Sequence, residues 1–281
     1  MNYHDDYDSV SASMLKVLLK SPLEYFRRFV ARDLPQEETP AMRFGSMFHT
    51  AVLEPDLFGD CYVTMPAFEL DAGNVTAKGE RSDSKATSYY KAKVKEFAAA
   101  NVGKTFVSQD EINLVTRMSR AAWNHNELRQ LLTGEGEAET PIYWEYRIKK
   151  RCKPDLVLHN YQVILDLKTC DEANPAAFAA KCAKLGYFIQ ASWYREALLE
   201  TRGVDYRFVF AAISKAEPHE VGLYELTTDD MEWSDEKTNW LVDQLIARRE
   251  SQDWFSPWQR GINTLSLPKW VRNDYYSMED E

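Results

Sequence analysis

Lys153-Pro154-Asp155-Leu156-Val157-Leu158-His159-Asn160-Tyr161-Gln162-Val163-Ile164-Leu165-Asp166-Leu167-Lys168 is the stretch on which the reading of this chain turns. Two short aliphatic and β-branched runs, Leu156 to Leu158 and Val163 to Leu167, flank a turn-prone His159-Asn160-Tyr161, the pattern of a β-hairpin. A two-residue loop of Asn160 and Tyr161 pairs His159 with Gln162 and sets Asp155 directly opposite Asp166. Asp166 and Lys168, two apart on one strand, project from the same face.

Facing carboxylates repel, by about 4 kcal/mol at ~4 Å in an effective dielectric of ~20. A divalent cation with oxygen ligands would offset that repulsion, and Mg²⁺ in particular is held by one or two carboxylates together with waters and phosphates. Lys168 adds a positive donor able to orient a water or to stabilise charge on a phosphate. A surface hairpin with the same charges merely solvated is the competing reading.

Asp155, ten intervening residues and then Asp166-Leu167-Lys168 resemble the core of the PD-(D/E)XK nuclease superfamily, Pro154-Asp155 included. Gln190 and Tyr194, an i,i+4 pair sharing a helix face, resemble the Gln-x-x-x-Tyr motif of its RecB-like branch. Upstream, Gly45-Ser46-Met47-Phe48-His49 resembles that branch's Gly-x-x-x-His. With Ser11-x-Ser13-x-Leu15-Lys16-x-Leu18-x-x-Ser21-Pro22 and the closing Leu267-Pro268-Lys269-Trp270, the chain is similar over nearly its whole length to the RecE-like (exonuclease VIII) phage and prophage exonucleases. The resemblance implies an α/β (α+β) fold, a central mixed sheet flanked by helices with an N-terminal helical region. It also implies metal ligands at His49, Asp155 and Asp166, the Leu167 carbonyl as a further ligand, and Glu139 as an additional candidate carboxylate. Lys168 is the expected catalytic lysine, with Gln190 and Tyr194 supporting the site or touching the DNA backbone.

The 281 residues are 44% apolar and 13% aromatic, ample for a core, so disorder is excluded as the general state. No apolar run reaches membrane-spanning length and the start, Met-Asn-Tyr-His-Asp-Asp, lacks a signal-peptide pattern, so a soluble, cytoplasmic protein with no membrane partner is expected. Cys61, Cys152, Cys170 and Cys182 form no Cys-x-x-Cys and do not match the cysteine pattern of the iron–sulfur nucleases, so reduced thiols and no iron–sulfur cluster are expected. A net charge of −10 argues against a protein that coats DNA generically. Contact with DNA is expected where basic groups gather: Lys149, Lys150, Arg151 and Lys153 beside the hairpin, Arg27, and Lys78, Arg81 and Lys85 in a polar loop over 70–88.

Working outward, residues 1–133 read as mostly helical, 134–228 as the catalytic sheet and 229–281 as a closing helix and tail, together one domain. Ser11 caps a helix through Leu19, and Ser21-Pro22 opens a second through Arg32. Ala41 to Leu53 reads as a buried helix, Gly45 permitting close approach. Helices follow at 89–100 and 109–123, and an acidic run, Glu135, Glu137 and Glu139, precedes a strand over 141–148. Helices over 175–185 and 187–201 meet at Gly186, strands over 206–214 and 220–227 extend the sheet, and a helix with Trp240, Leu241 and Leu245 inward spans 229–249. Trp254, Trp258 and Trp270 are expected to pack its edge.

Phosphodiester hydrolysis needs an activated water and a counter-charge for the phosphate, which Mg²⁺, with Mn²⁺ able to substitute, supplies. The expectation is a metal-dependent DNA nuclease. By resemblance it is an ATP-independent exonuclease acting 5′ to 3′ on double-stranded DNA ends, a homo-oligomeric ring, and the partner of a RecT-type single-strand annealing protein. A RecB-like nuclease of another repair or CRISPR context, and a non-catalytic DNA-binding module on the same fold, are the alternatives.

Overall fold

The central hairpin forms in the expected register. In the computed structural model, which describes residues 6–35, 38–66, 68, 74–81, 85 and 87–267, Leu156, Val157 and Leu158 pair antiparallel with Leu165, Ile164 and Val163. One step further along this register, Asp155 stands opposite Asp166. At the turn Gln162 takes a left-handed φ of 50°, and its N–H donates to the His159 carbonyl at 3.3 Å.

Ahead of the hairpin run α1 (Ala12–Lys20), α2 (Pro22–Tyr25) with a π-helical continuation over Phe26–Val30, α3 (Pro40–Leu53), α4 (Phe58–Cys61), β1 (Tyr62–Thr64), α5 (Ser88–Ala100), β2 (Thr105–Val107), α6 (Gln109–Asn124), α7 (Asn126–Leu132), β3 (Gly136–Ala138), β4 (Ile142–Tyr146) and β5 (Ile148–Cys152). The hairpin strands are β6 (Leu156–Leu158) and β7 (Val163–Cys170), followed by α8 (Pro175–Leu185), α9 (Tyr187–Arg202), β8 (Arg207–Ser214), β9 (Val221–Tyr224) and α10 (Thr228–Ser251). Side-chain oxygens cap the early helices as the sequence suggests: Ser11 accepts from the Met14 N–H, and Ser21, just ahead of Pro22, from the Glu24 N–H. The second helix ends sooner than expected, because Arg32 turns into a left-handed φ of 57°.

The main sheet has the order β3-β6-β7-β8-β9. Only β7 and β8 are parallel, and a parallel pair needs a long crossover, which α8 and α9 provide. Strand alternation sorts the side chains. Leu165, Leu167, Val209 and Ala211 join a core with Phe44, Met47 and Phe48 of α3 and Val115 and Met118 of α6. Ile164, Phe208, Phe210 and Ala212 face the other way, packing with Phe178 of α8 and Ala191 and Leu198 of α9. A third cluster joins α1, α9 and α10 through Leu15, Leu18, Trp193, Leu241 and Leu245.

Several expectations are corrected. The acidic run is in part the edge strand β3, paired with β6. The strand expected over 141–148 is a hairpin of β4 and β5 in its own sheet. Its basic stretch is expected to meet DNA, yet Lys150 is buried with its ammonium on the Glu196 carboxylate and 4.7 Å from the Trp193 ring centroid. Strand pairing and an aromatic enclosure override the polar composition. A Cβ built on Gly45 meets nothing within 4 Å, so this glycine allows no close helix contact. Trp240 and Trp258 are exposed while Trp254 is buried, and Pro268, Lys269 and Trp270 lie outside the described residues, as does part of the 70–88 loop. A small parallel pair of β1 and β2 went unforeseen. Among the described residues no helix is long and apolar enough to cross a membrane.

Candidate active site

The site exists because β6 is short. Pro154 has no N–H to give a ladder, and β6 begins only at Leu156 while β7 runs on to Cys170. Beyond Leu165 the β6-side backbone groups of β7 therefore need other partners. Asp155 supplies one, its Oδ2 accepting from the Leu167 N–H at 2.7 Å. His49, reaching over from α3, supplies the other, with Nε2 2.8 Å from the Leu167 carbonyl oxygen. The Leu167 side chain is fully buried below, in the core shared with α3, so the backbone at this point is firmly held.

With Nε2 spent on a carbonyl, Nδ1 of His49 faces carboxylates: it lies 3.5 Å from Asp155 Oδ1 and 3.8 Å from Glu139 Oε1. Glu139 reaches the site from a left-handed backbone, φ 49°, just after β3, a conformation that costs a non-glycine residue about 1–2 kcal/mol. Its N–H donates to the Asp155 carbonyl at 3.1 Å, and its Oε2 meets Lys153 Nζ at 2.6 Å. His49, Glu139 and Asp155 each offer a ligand atom, all within 4.8 Å of one another.

This donor set fits a divalent cation. An imidazole that donates one N–H to a backbone carbonyl has its tautomer fixed and its other nitrogen ready to ligate, and two carboxylates furnish the hard oxygens preferred by Mg²⁺ and Mn²⁺. The Leu167 carbonyl, expected as a direct ligand, is the group that orients His49.

Asp166 stands beside the triad and is fully buried. Its Oδ2 contacts the Lys168 ammonium, and its Oδ1 accepts from Gln190 Nε2 at 2.7 Å. The facing carboxylates thus go to different partners, Asp155 to the triad and Leu167 N–H, Asp166 to Lys168 and Gln190. Tyr194 donates to the Lys153 carbonyl at 3.3 Å and so braces the segment leading to Asp155.

The charges are strongly coupled. Burial would depress the His49 pKa, but Asp155 and Glu139 outweigh it and raise it to about 9. Burial and the neighbouring Asp166 push Asp155 up to about 6, against the pull of His49 and Lys168. For Lys168 burial is again the largest influence, yet Asp166 and Asp155 overcome it and hold the ammonium above the ordinary lysine range. Lys168 is consequently a charged donor and not a base.

The triad lies in a cleft of about 970 Å³. Lys16, Arg28, Arg32, Arg151 and Lys153 line it, as do Gln190 and Tyr194. Of the basic residues proposed from sequence, Arg151 and Lys153 reach the cleft, Arg151 being buried 3.6 Å from Asp6. Lys150 is interior. Arg27 points away, paired with Asp33 at 3.2 Å, while Arg28 and Arg32 of the same segment face the cleft. Lys149, Lys78, Arg81 and Lys85 are exposed and do not line it. Lys16 is the residue the sequence reading passed over. Its signal was a charge flanked by Leu15 and Val17 on a helix whose buried stripe is Ala12, Met14, Leu15 and Leu18.

A β-hairpin carrying Asp155 and Asp-x-Lys, crossed by two helices to a parallel β8, defines the PD-(D/E)XK nuclease fold. The chain belongs to the family described as PDDEXK-like domain of unknown function (DUF3799), whose model matches residues 11–256. The fold is shared with a Eubacterium rectale protein whose crystal structure is described as that of a "Putative exonuclease", at 14% identity over 96% of both chains and a TM-score of 0.61. A phage related exonuclease from Haemophilus somnus 129PT aligns at 15% identity over 63% of this chain and 92% of that one, TM-score 0.29. No curated protein sequence matches.

Proposed function

We propose that this protein is a Mg²⁺-dependent, ATP-independent exodeoxyribonuclease that degrades linear double-stranded DNA, with Mn²⁺ able to replace Mg²⁺. The observation that carries the reading is the His49, Glu139 and Asp155 triad, which lines a cleft with basic walls and is set beside the pair of buried Asp166 and partly exposed Lys168. The name exonuclease borne by the Eubacterium rectale protein of the same fold is in keeping with it.

His49 Nδ1, Glu139 and Asp155 would hold the cation. Bound there, it supplies positive charge to the phosphate and activates water. Lys168, kept protonated by Asp166, donates to a phosphate oxygen as negative charge builds during attack. Asp166 keeps that ammonium in place, and Gln190 fixes the Asp166 carboxylate. Asp155, Asp166 and Lys168 are all present, which favours catalysis over a purely DNA-binding role. The RecE-like motifs extend the proposal to 5′ to 3′ degradation, a ring-shaped homo-oligomer around the duplex, and a RecT-type annealing protein that receives the exposed strand.

The test is release of acid-soluble nucleotides from linear duplex. Release should require Mg²⁺ or Mn²⁺, be indifferent to ATP, and vanish in Asp155→Asn. A pure wild-type protein that hydrolyses nothing with either metal would overturn the proposal.

A further inference from the structure

Lys16 has no assigned role, yet its surroundings are specific. Its stem lies against Gly186, the left-handed joint (φ 65°) between α8 and α9, where an added Cβ would meet Lys16 Cγ at 3.4 Å. Its Nζ donates to Gln190 Oε1 at 3.2 Å. Gln190 uses the other end of the same amide on Asp166, so the Asp166 contact decides which way the amide points and thereby aims its oxygen at Lys16. Both ammonium groups, of Lys16 and of Lys168, lie over the Tyr187 ring, 5.2 and 4.9 Å from its centroid.

The protein's own carboxylates do not neutralise Lys16. Asp166 is committed to Lys168 and Gln190, and among the described residues no ion pair includes Lys16. Burial first, and then the nearby Lys168 charge, bring its pKa down to about 7 despite the pull of Asp166. An ammonium half-buried in the cleft wall without a counter-ion carries part of the cost of a buried charge, and a phosphate entering the cleft would remove that cost.

We propose that Lys16 is a phosphate-contacting residue of the nuclease cleft, donating to a backbone phosphate of the substrate strand alongside Lys168, with Gln190 as the positioning residue that aims it. The inference rests on the nuclease reading of the cleft and adds a DNA contact on α1.

The experiment compares wild type, Lys16→Met and Lys16→Arg in two assays. In the first, metal-free protein with EDTA is titrated with a short linear duplex over a range of salt. A phosphate contact contributes about 0.9 to the slope of log affinity against log salt. Lys16→Met should therefore flatten the slope by about one, and Lys16→Arg should leave it unchanged. In the second, hydrolysis with Mg²⁺ should fall about 10- to 100-fold in kcat/KM for Lys16→Met, the worth of one charged hydrogen bond, and recover in large part in Lys16→Arg. The thermal shift on adding Mn²⁺ should be the same in all three proteins. An unchanged salt slope in Lys16→Met, with activity lost only in step with melting temperature, would reduce Lys16 to a packing residue and overturn the inference. Should Lys16→Met not fold, Lys16→Gln, which keeps a polar head beside Gln190, is judged by the same slope. If the wild type binds duplex but hydrolyses none, the nuclease reading fails while the salt slope still decides the role of Lys16.

Discussion

Burial would make His49 a weak base, but the Asp155 and Glu139 carboxylates reverse this and set its pKa near 9, above the ~6.5 of an unfolded histidine. The stabilisation this reflects is complete below about pH 6.5 and disappears as pH rises through about 9, at up to ~1.4 kcal/mol per pH unit. Urea unfolding in EDTA between these limits should show wild-type stability declining and His49→Gln declining less; parallel curves would mean that His49 is not charged in the apoprotein. The carboxylates behave differently from one another. Asp155 is held at about 6, so its charge is a net cost near neutrality, and Asp155→Asn should raise the metal-free melting temperature while abolishing hydrolysis and the Mn²⁺-induced thermal shift. Asp166, by contrast, is buried against Lys168, and removing one member of such a pair leaves the other uncompensated. Asp166→Ala and Lys168→Ala should both lose hydrolysis and also about 3–5 kcal/mol of stability, measured by denaturant unfolding. A mutant of either that keeps substantial Mg²⁺-dependent activity would remove the hairpin from the mechanism.

At the level of elements, the two basic stretches on and beside β5 separate what composition blurs. Lys150 is enclosed by Trp144, Trp193, Tyr146 and Glu196, whereas Lys153 lines the cleft against Glu139. Lys150→Ala should therefore lower stability by several kcal/mol and leave the salt slope of DNA binding alone, while Lys153→Ala should weaken binding with little effect on melting. Equal effects of both on the slope would restore Lys150 to the DNA surface. The same contrast explains what the sequence could convey. The hairpin register was legible because a short turn and a two-residue period leave no freedom to Asp155 and Asp166, and α1, α8 and α9 were legible from caps and from Gly186. Whether a lysine in Lys149-Lys150-Arg151 faces water depends on β5 pairing with β4 and on Trp193 arriving from α9, contacts remote in sequence. Glu139 was legible as a candidate but its left-handed backbone was not, and the partners of Asp166 became visible only once α9 had placed Gln190 against β7.

On the scale of the whole molecule, a net charge of −10 has to be reconciled with a polyanionic substrate. The cleft reconciles them by position, since Lys16, Arg28, Arg32, Arg151 and Lys153 all line it. An acidic exterior repels the side of a duplex, and the triad lines this cleft, so a free DNA end able to enter has the advantage over an uninterrupted duplex. Linear duplex should accordingly be degraded with Mg²⁺, covalently closed circles of the same sequence should survive, and a single restriction cut should convert the second into the first. The five cations that line the cleft, with Lys168 as a sixth phosphate donor, at about 0.9 released counterions each, set a ceiling of about 5.4 on the magnitude of the salt slope. Arg28, Arg151 and Lys153 already have carboxylate partners, which should bring the measured value below that ceiling. A steeper slope would place DNA on surfaces outside the cleft, such as those carrying Lys149 or Lys78. Efficient nicking of closed circles under the same conditions would show that the cleft accepts continuous duplex, removing the requirement for an end while leaving the metal triad and the Asp166–Lys168 pair as the seat of hydrolysis.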